Sequence, residues 1–180
     1  YEFQQRARKR MSVLIPIVVL IIFVLLYMTF HSVGESAMIL LAVVYAMTGG
    51  LILQHLFGYD FSVAVWVGYI ALFGVAVETG VVMVVYLIEA LKRKGEHGPI
   101  TLADLHDATM EGSVLRVRPK LMTVATTMIG LLPIFWSSGV GADVMKPIAT
   151  PIVGGMITST IHVLIITPVI FYLGQRWKLK

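Results

Sequence analysis

The feature that most constrains this chain is a series of five long apolar runs separated by short polar breaks. An α-helix needs about 20 mainly apolar residues to cross the hydrocarbon core of a bilayer. In lipid, a spanning segment must also pair its own backbone amides, which a helix does internally. The pattern therefore predicts an all-α membrane protein with five transmembrane helices. The predicted spans are 12–30, 37–57, 61–91, 120–136 and 144–173.

Composition agrees with a membrane bundle and excludes several other classes. The chain is 58% hydrophobic and 13% charged, whereas soluble domains are roughly 45–50% apolar and about 25% charged. It has no cysteine, so disulfides and thiolate metal sites are excluded. Its net charge of +4 comes from juxtamembrane clusters rather than one basic face, so no nucleic-acid partner is expected. Because Tyr1 stands where a start methionine would be, we expect a segment of a longer protein.

Three polar segments flank or connect the spans. Residues 1–11 form a basic juxtamembrane segment, and residues 174–180 form a tail. Residues 95–118 form the longest connection, in which Thr101-Leu102-Ala103-Asp104 resembles a helix capping box. Apolar residues then recur at helical spacing, so this connection predicts a short amphipathic helix on the membrane surface.

The distribution of basic residues predicts the orientation of the chain. Five spans place the two termini on opposite sides of the membrane. Nine of the 14 Lys and Arg residues fall on the side of the C-terminus and the long connection, and five fall on the other side. The positive-inside rule therefore predicts that the C-terminus and the long connection are cytoplasmic and that segment 1–11 lies on the opposite side. The basic run Arg6-Ala7-Arg8-Lys9-Arg10 argues the other way.

Glu78 is the most informative single residue, since it lies near the middle of the third span. A carboxylate at this depth costs roughly 3 kcal/mol or more on insertion scales, so it usually faces a bundle interior or a wet cavity. One interpretation is a carboxylate of a proton relay or ion pathway. The other is a protonated side chain that makes one structural hydrogen bond between helices.

Lys120 begins the fourth span, and Thr123 and Thr127 follow it at helical spacing. This polar stripe could relay protons or hold an ion pair with an acid elsewhere. Alternatively, Lys120 extends to the cytoplasmic headgroups.

Ten methionines supply thioether sulfur, a soft ligand suited to Cu(I). Most lie within spans, where methionine is an ordinary apolar residue. Met145 is the candidate metal ligand, because it lies at the non-cytoplasmic start of the fifth span. His162 lies within that span and is either part of a proton path or a core histidine. No P-loop or nucleophile motif is present, so no enzyme and no bound cofactor are expected.

Several runs resemble the heavy-metal efflux pumps of the resistance–nodulation–division (RND) superfamily. The run around Glu78 resembles the tenth transmembrane helix of these pumps, and three other runs resemble the eighth, eleventh and twelfth helices in the same order. The four runs are Gly74–Met83, Ile22–Tyr27, Val114–Ala125 and Gly154–Thr158.

This resemblance implies that the chain is helices eight to twelve, half of an RND transmembrane bundle in the bacterial inner membrane. It implies a homotrimeric, proton-driven metal exporter that works with a periplasmic adaptor and an outer-membrane channel. Helices one to seven and both periplasmic domains would be supplied by the remainder of the pump. A periplasmic segment 1–11 and a C-terminus in the cytoplasm are also implied, in agreement with the charge distribution.

A glutamate at position 78 is similar to the copper/silver (CusA-type) branch of these pumps. There, Glu78 and Lys120 are implied to belong to the proton relay, and Met145 to a path for Cu(I) or Ag(I). Thr127 is added to the predicted relay by its spacing from Lys120. The connection 95–118 is shorter than is usual in the family, and Val77 and Thr79 depart from its commonest residues. Two other functions stay open: an RND pump for Zn, Co, Cd or hydrophobic compounds, and a structural half-bundle without transport activity of its own.

Overall fold

The computed structural model describes residues 2–96 and 98–178, and it describes side chains for residues 10, 13–96 and 98–178. The predicted segments 1–11 and 174–180 therefore lie only partly within the described residues. Every regular element in this part of the chain is helical. The helices are α1 (Glu2–Phe30), α2 (Val33–Phe57), α3 (Val63–Gly95), α4 (Leu102–Trp136), α5 (Ala142–Ile161) and α6 (Thr167–Lys178), with a π-helical turn at His162–Ile166 between the last two.

Five helical segments are long and apolar enough to cross a membrane, with α5, the π-turn and α6 counting as one continuous segment. Their outer surfaces are strongly apolar. Ile129, Met122 and Leu20, for example, are 70%, 67% and 64% exposed. A helix bundle with large apolar residues on its outer surface is favoured in lipid and disfavoured in water. The predicted all-α membrane fold with five spans is confirmed.

The third and fourth spans extend well beyond a bilayer on one side. α3 has 33 residues and α4 has 35, so each is about 50 Å long, against a hydrocarbon core of about 30 Å. The excess lies where α3 ends and α4 begins. There, Gly112 of α4 packs closely against the backbone of Tyr86 and Leu87, and Arg93 forms an ion pair with Glu111 at 3.1 Å.

One element differs from the sequence prediction. The amphipathic helix predicted within 95–118 forms, and its capping box at Thr101 and Asp104 is present. However, it is not a separate surface helix, because it continues through Pro119 into the fourth span as the single helix α4. Packing of its first half on α3, around Gly112, holds it in line with the second half and outweighs the missing N–H of Pro119.

The centre of the bundle is a close contact between α2 and α5. A Cβ added to Gly154 would overlap the carbonyl of Gly49, and one added to Gly49 would overlap Thr158. A Cβ on Gly155 would lie 2.7 Å from the carbonyl of Ala46 and would overlap Leu72 of α3. Small residues therefore bring these backbones together, as expected for helices in lipid.

The π-turn interrupts the fifth span at mid-length. Its widened hydrogen bond runs from the N–H of Thr167 to the carbonyl of His162. Pro168 follows at once and has no N–H to donate, so the helix adjusts locally at this point. The turn places His162 in the core and leaves Val163 and Leu164 facing a crevice beside α3 and α4.

Candidate functional site

A crevice of about 250 Å³ lies between α3, α4 and the π-turn, and we refer to it as the relay crevice. It contains all three residues that the sequence predicts as a proton relay. α3 contributes Glu78 near the middle of its length, and α4 contributes Lys120 and Thr127. The lining is completed by Val75, Thr79, Val82, Met83, Arg116, Pro119, Thr123, Val163 and Leu164.

Glu78 is exposed at the open side of this crevice. Its helix neighbours Ala76 and Gly80 are buried against the bundle, so the carboxylate lies on the opposite face of α3. The adjacent Thr79 hydroxyl donates to the carbonyls of Val75 and Ala76, at 2.9 and 3.1 Å, rather than to Glu78. The alternative interpretation requires a hydrogen bond from Glu78 to a neighbouring helix. No such bond is present among the described residues.

Lys120 has the opposite environment, since its side chain is only 5% exposed. Its Nζ is buried and has no hydrogen-bond partner in the described part of the chain. Glu78 and Arg116, which carry opposite charges, line the same crevice as Lys120. A lysine that extends to the headgroups would be exposed, so the burial of Lys120 disfavours that alternative.

The threonines of α4 complete a polar stripe along one side of the crevice. The Thr123 hydroxyl donates to the carbonyl of Pro119 at 3.0 Å, and the Thr127 hydroxyl donates to the carbonyl of Thr123 at 2.9 Å. Each hydroxyl oxygen thereby keeps lone pairs that can accept from a lysine or a water molecule. The stripe leads from Lys120 toward the far end of the span.

Arg116 is a lining residue that the sequence analysis did not select. It precedes Lys120 by four residues, so both lie on one face of α4. Its guanidinium lies 4.8 Å from the ring centroid of Tyr86, which fixes it over the aromatic face. The i, i+4 spacing was a signal that could have identified it. The π-turn residues Val163 and Leu164 had no comparable signal.

Met145 lies apart from the relay crevice. It is in the first turn of α5, which starts after Gly141, and its side chain is 57% exposed. Among the described residues, no group of three His, Cys, Asp or Glu side chains converges as metal ligands would. A metal role for Met145 therefore depends on thioether ligands and stays a prediction.

His162 is buried, and only one of its two ring nitrogens has a hydrogen-bonding partner in the described part of the chain. Its Nδ1 lies 3.4 Å from the Thr167 hydroxyl, and its ring packs 4.5 Å from that of Tyr45. Its Nε2 has no hydrogen-bond partner in the described part of the chain. The ring points into the α2–α5 core, so it does not line the relay crevice.

Comparison with known proteins gives consistent matches over nearly the whole chain. The model of the AcrB/AcrD/AcrF family matches residues 1–175. The cation efflux system protein CusA of Escherichia coli K12 is 44% identical over 176 residues. The cobalt-zinc-cadmium resistance protein CzcA of Cupriavidus metallidurans is 34% identical over 176 residues.

A crystal structure of a heavy metal efflux pump superposes on 98% of this chain with a TM-score of 0.82 and 39% identity. The fold and the sequence thus agree on the same group of transporters. The chain spans only a small part of each relative: 17% of CusA, 16% of CzcA and 16% of the crystallised pump.

Proposed function

Because this chain belongs to the AcrB/AcrD/AcrF family, in its heavy-metal efflux branch, we propose that it forms helices eight to twelve of a proton-driven Cu(I)/Ag(I) efflux pump. The observation that carries the proposal is the relay crevice, where a carboxylate, a buried amine and a threonine stripe meet within the membrane. Titratable groups are costly at this depth, so their presence favours a function that needs them, such as proton-driven transport.

In the proposed mechanism, Glu78 binds and releases the transported proton. When Glu78 is ionised, it attracts the Lys120 ammonium. When Glu78 is protonated, that attraction is lost, and Lys120 is free to pair with an acid from another part of the pump. Exchange of ion-pair partners then shifts α4 against α3, and rigid movement of this kind gates a transport path.

The exposure of Glu78 supports the proposal that further helices complete the site. A charge facing lipid at mid-membrane is costly, so another segment of the pump must cover this face of α3. We propose that helices one to seven of the same pump pack against this face. The pump would act in the inner membrane as a homotrimer, with periplasmic domains, an adaptor and an outer-membrane channel.

Two observations favour a monovalent soft metal as the substrate. The chain is more similar to CusA, at 44% identity, than to CzcA, at 34%. Met145 offers an exposed thioether at the end of the span, and thioethers prefer Cu(I) and Ag(I) over harder divalent ions. The similarity to CzcA keeps a second candidate open, in which the same relay drives export of cobalt, zinc or cadmium.

The test is metal-dependent proton flux by the full-length pump in proteoliposomes, with Ag(I) compared with Zn(II). We expect flux with Ag(I), little flux with Zn(II), and loss of the Ag(I) flux in Glu78→Gln with the trimer intact. Glu89→Gln is the matched control, because it removes an exposed carboxylate from the same helix outside the relay crevice. Glu89→Gln should keep the flux of the wild type.

The two parts of the proposal fail separately. Flux that survives Glu78→Gln would make this residue structural and remove the relay. Flux driven by Zn(II) and not by Ag(I), but still lost in Glu78→Gln, would keep the relay and select the divalent pump.

A further inference from the structure

A second crevice, of about 310 Å³, lies on the other side of α3, and we call it the α1–α3 crevice. Its volume falls at the lower end of the range of about 300–1,000 Å³ for small-molecule sites. α1 and α3 form its two walls, and Met47 of α2 forms its floor. The lining residues are Leu14, Ile15, Val18, Val19, Met47, Trp66, Tyr69, Ile70 and Phe73.

The crevice exists because α1 packs on the bundle mainly through its C-terminal half. Leu26 is buried against Ile39 and Val84, and Ile22 and Phe30 pack beside it. Toward its N-terminus α1 separates from α3, and Leu14 and Val18 are 54% and 44% exposed. A slot open to the membrane therefore lies next to the first turns of α3.

The chemistry of the slot suits a hydrocarbon chain. Tyr69 and Trp66 supply the only polar atoms among the lining side chains apart from the thioether of Met47. The Tyr69 hydroxyl already donates to Gln54 at 2.9 Å. The Trp66 Nε1–H is buried and has no acceptor in the described part of the chain. The surface that the slot presents is therefore almost entirely apolar, as an acyl chain requires.

The end of the crevice lies beside the basic run Arg6-Ala7-Arg8-Lys9-Arg10, which forms early turns of α1. Arg10 is exposed and precedes Leu14 by four residues, so it continues the lining face of α1 one turn beyond the apolar wall. Arg10 therefore lies beyond the apolar wall of the crevice, on the side where the phosphate of a lipid with its acyl chain in the crevice would lie, and it does not line the relay crevice.

From this juxtaposition we propose that the α1–α3 crevice binds one acyl chain of an anionic phospholipid, whose phosphate pairs with the basic run at the start of α1. Clusters of Lys and Arg at the end of a membrane helix select anionic lipids. The proposal also accounts for a basic run on the side of the membrane where the positive-inside rule does not expect one.

This lipid site goes beyond the transport function and does not rest on it. Trp66, Ile70 and Phe73 lie on one face of α3, and Glu78 and Val82 lie on nearly the opposite face by helical periodicity. The two crevices share no lining residue. Loss of lipid binding would therefore leave the relay proposal unaffected, and loss of proton flux would leave the lipid proposal unaffected.

The experiment uses the fluorescence of Trp66 in the full-length pump reconstituted in phosphatidylcholine nanodiscs. Increasing fractions of phosphatidylglycerol or phosphatidylcholine with brominated acyl chains are added, since bromine quenches tryptophan on contact. The Trp66 signal is the difference between the wild type and Trp66→Phe. We expect half-maximal quenching at an about fivefold lower fraction of the brominated phosphatidylglycerol.

Two pairs of variants test the two halves of the site. Arg8→Gln combined with Arg10→Gln should abolish the preference for phosphatidylglycerol, while Arg176→Gln at the opposite end of the bundle should keep it. Val18→Phe, which fills the crevice, should reduce quenching by both lipids. Leu20→Phe is its control, because Leu20 is 64% exposed on the same helix and does not line the crevice.

Two results would overturn the proposal. Equal quenching by the two brominated lipids in the wild type would show ordinary contact with bulk lipid. Absence of Trp66 quenching at every lipid fraction would show that another segment of the pump fills the crevice.

Discussion

Lys120 combines features that are rarely found together, because it is a cation almost fully buried within a membrane helix and without a hydrogen bond in the described part of the chain. An unpaired charge of this kind is costly, so its retention favours a function that needs the charge. Glu78 lies in the same crevice and supplies the opposite charge.

We predict that Lys120→Met in the full-length pump lowers silver resistance to the level of cells without the pump, because the charge exchanged with Glu78 is gone. Lys120→Arg keeps a cation that can still exchange ion-pair partners, so it should retain more resistance than Lys120→Met. The measurement is growth on silver together with trimer assembly. Resistance in Lys120→Met would contradict a relay role, and Lys178→Met, at the exposed end of α6, is the control.

Met145 allows a prediction about metal choice at the same scale. Because its side chain is 57% exposed, Met145→Leu should cost little stability, so a change in transport would report on the thioether. We expect silver resistance to fall several-fold without a change in the amount of assembled pump. Met122→Leu, which alters a methionine that is 67% exposed on α4, should have no effect. Equal resistance in both variants would remove Met145 from the metal path.

At the scale of elements, the α2–α5 contact sets how closely the helices of the bundle pack. Its glycines leave no room for a methyl group, since a Cβ on Gly154 meets the Gly49 carbonyl and the Leu53 side chain. Gly74 of α3 is different, because a Cβ there would meet nothing within 4 Å.

We therefore predict opposite effects of the same substitution at these two glycines. Gly154→Ala should destabilise the bundle by about 1–3 kcal/mol through overpacking. Gly74→Ala should be neutral or stabilising by up to about 1 kcal/mol, because alanine is the better helix former. Thermal unfolding of the detergent-solubilised pump measures both. Equal stability of the two variants would show that α2 and α5 are less closely packed than in the structure.

At the scale of the whole molecule, the five spans place the two ends of the chain on opposite sides of the membrane. The side on which α3 ends and α4 begins has the greater number of Lys and Arg residues, and the positive-inside rule assigns that side to the cytoplasm.

We predict that a fluorescent protein fused after Lys180 of the full-length pump is fluorescent, because it folds in the cytoplasm. A periplasmic phosphatase inserted in the turn at 137–141 should be active, since this turn lies on the other side. Activity of the phosphatase after Lys180 instead would reverse the orientation. It would also show that the basic run at 6–10 determines the topology.

The chain by itself is expected to be a half-bundle without transport activity. It covers only 16–17% of its relatives, and the Glu78 face of α3 is open. A relay with one open side exposes its charges and cannot couple proton movement to metal export.

The sequence by itself determined the number of spans, their helical structure and four polar residues of the relay crevice. These follow from strong local signals: the length of the apolar runs, the cost of a charge such as Glu78 in lipid, and the helical spacing of Lys120, Thr123 and Thr127.

Only the tertiary structure decided how the elements meet. It joined the amphipathic helix and the fourth span across Pro119, because packing on α3 outweighs a local break. It placed the π-turn beside the relay crevice and separated the start of α1 from α3. Such features depend on contacts between residues distant in the sequence, and periodicity along one helix does not contain that information.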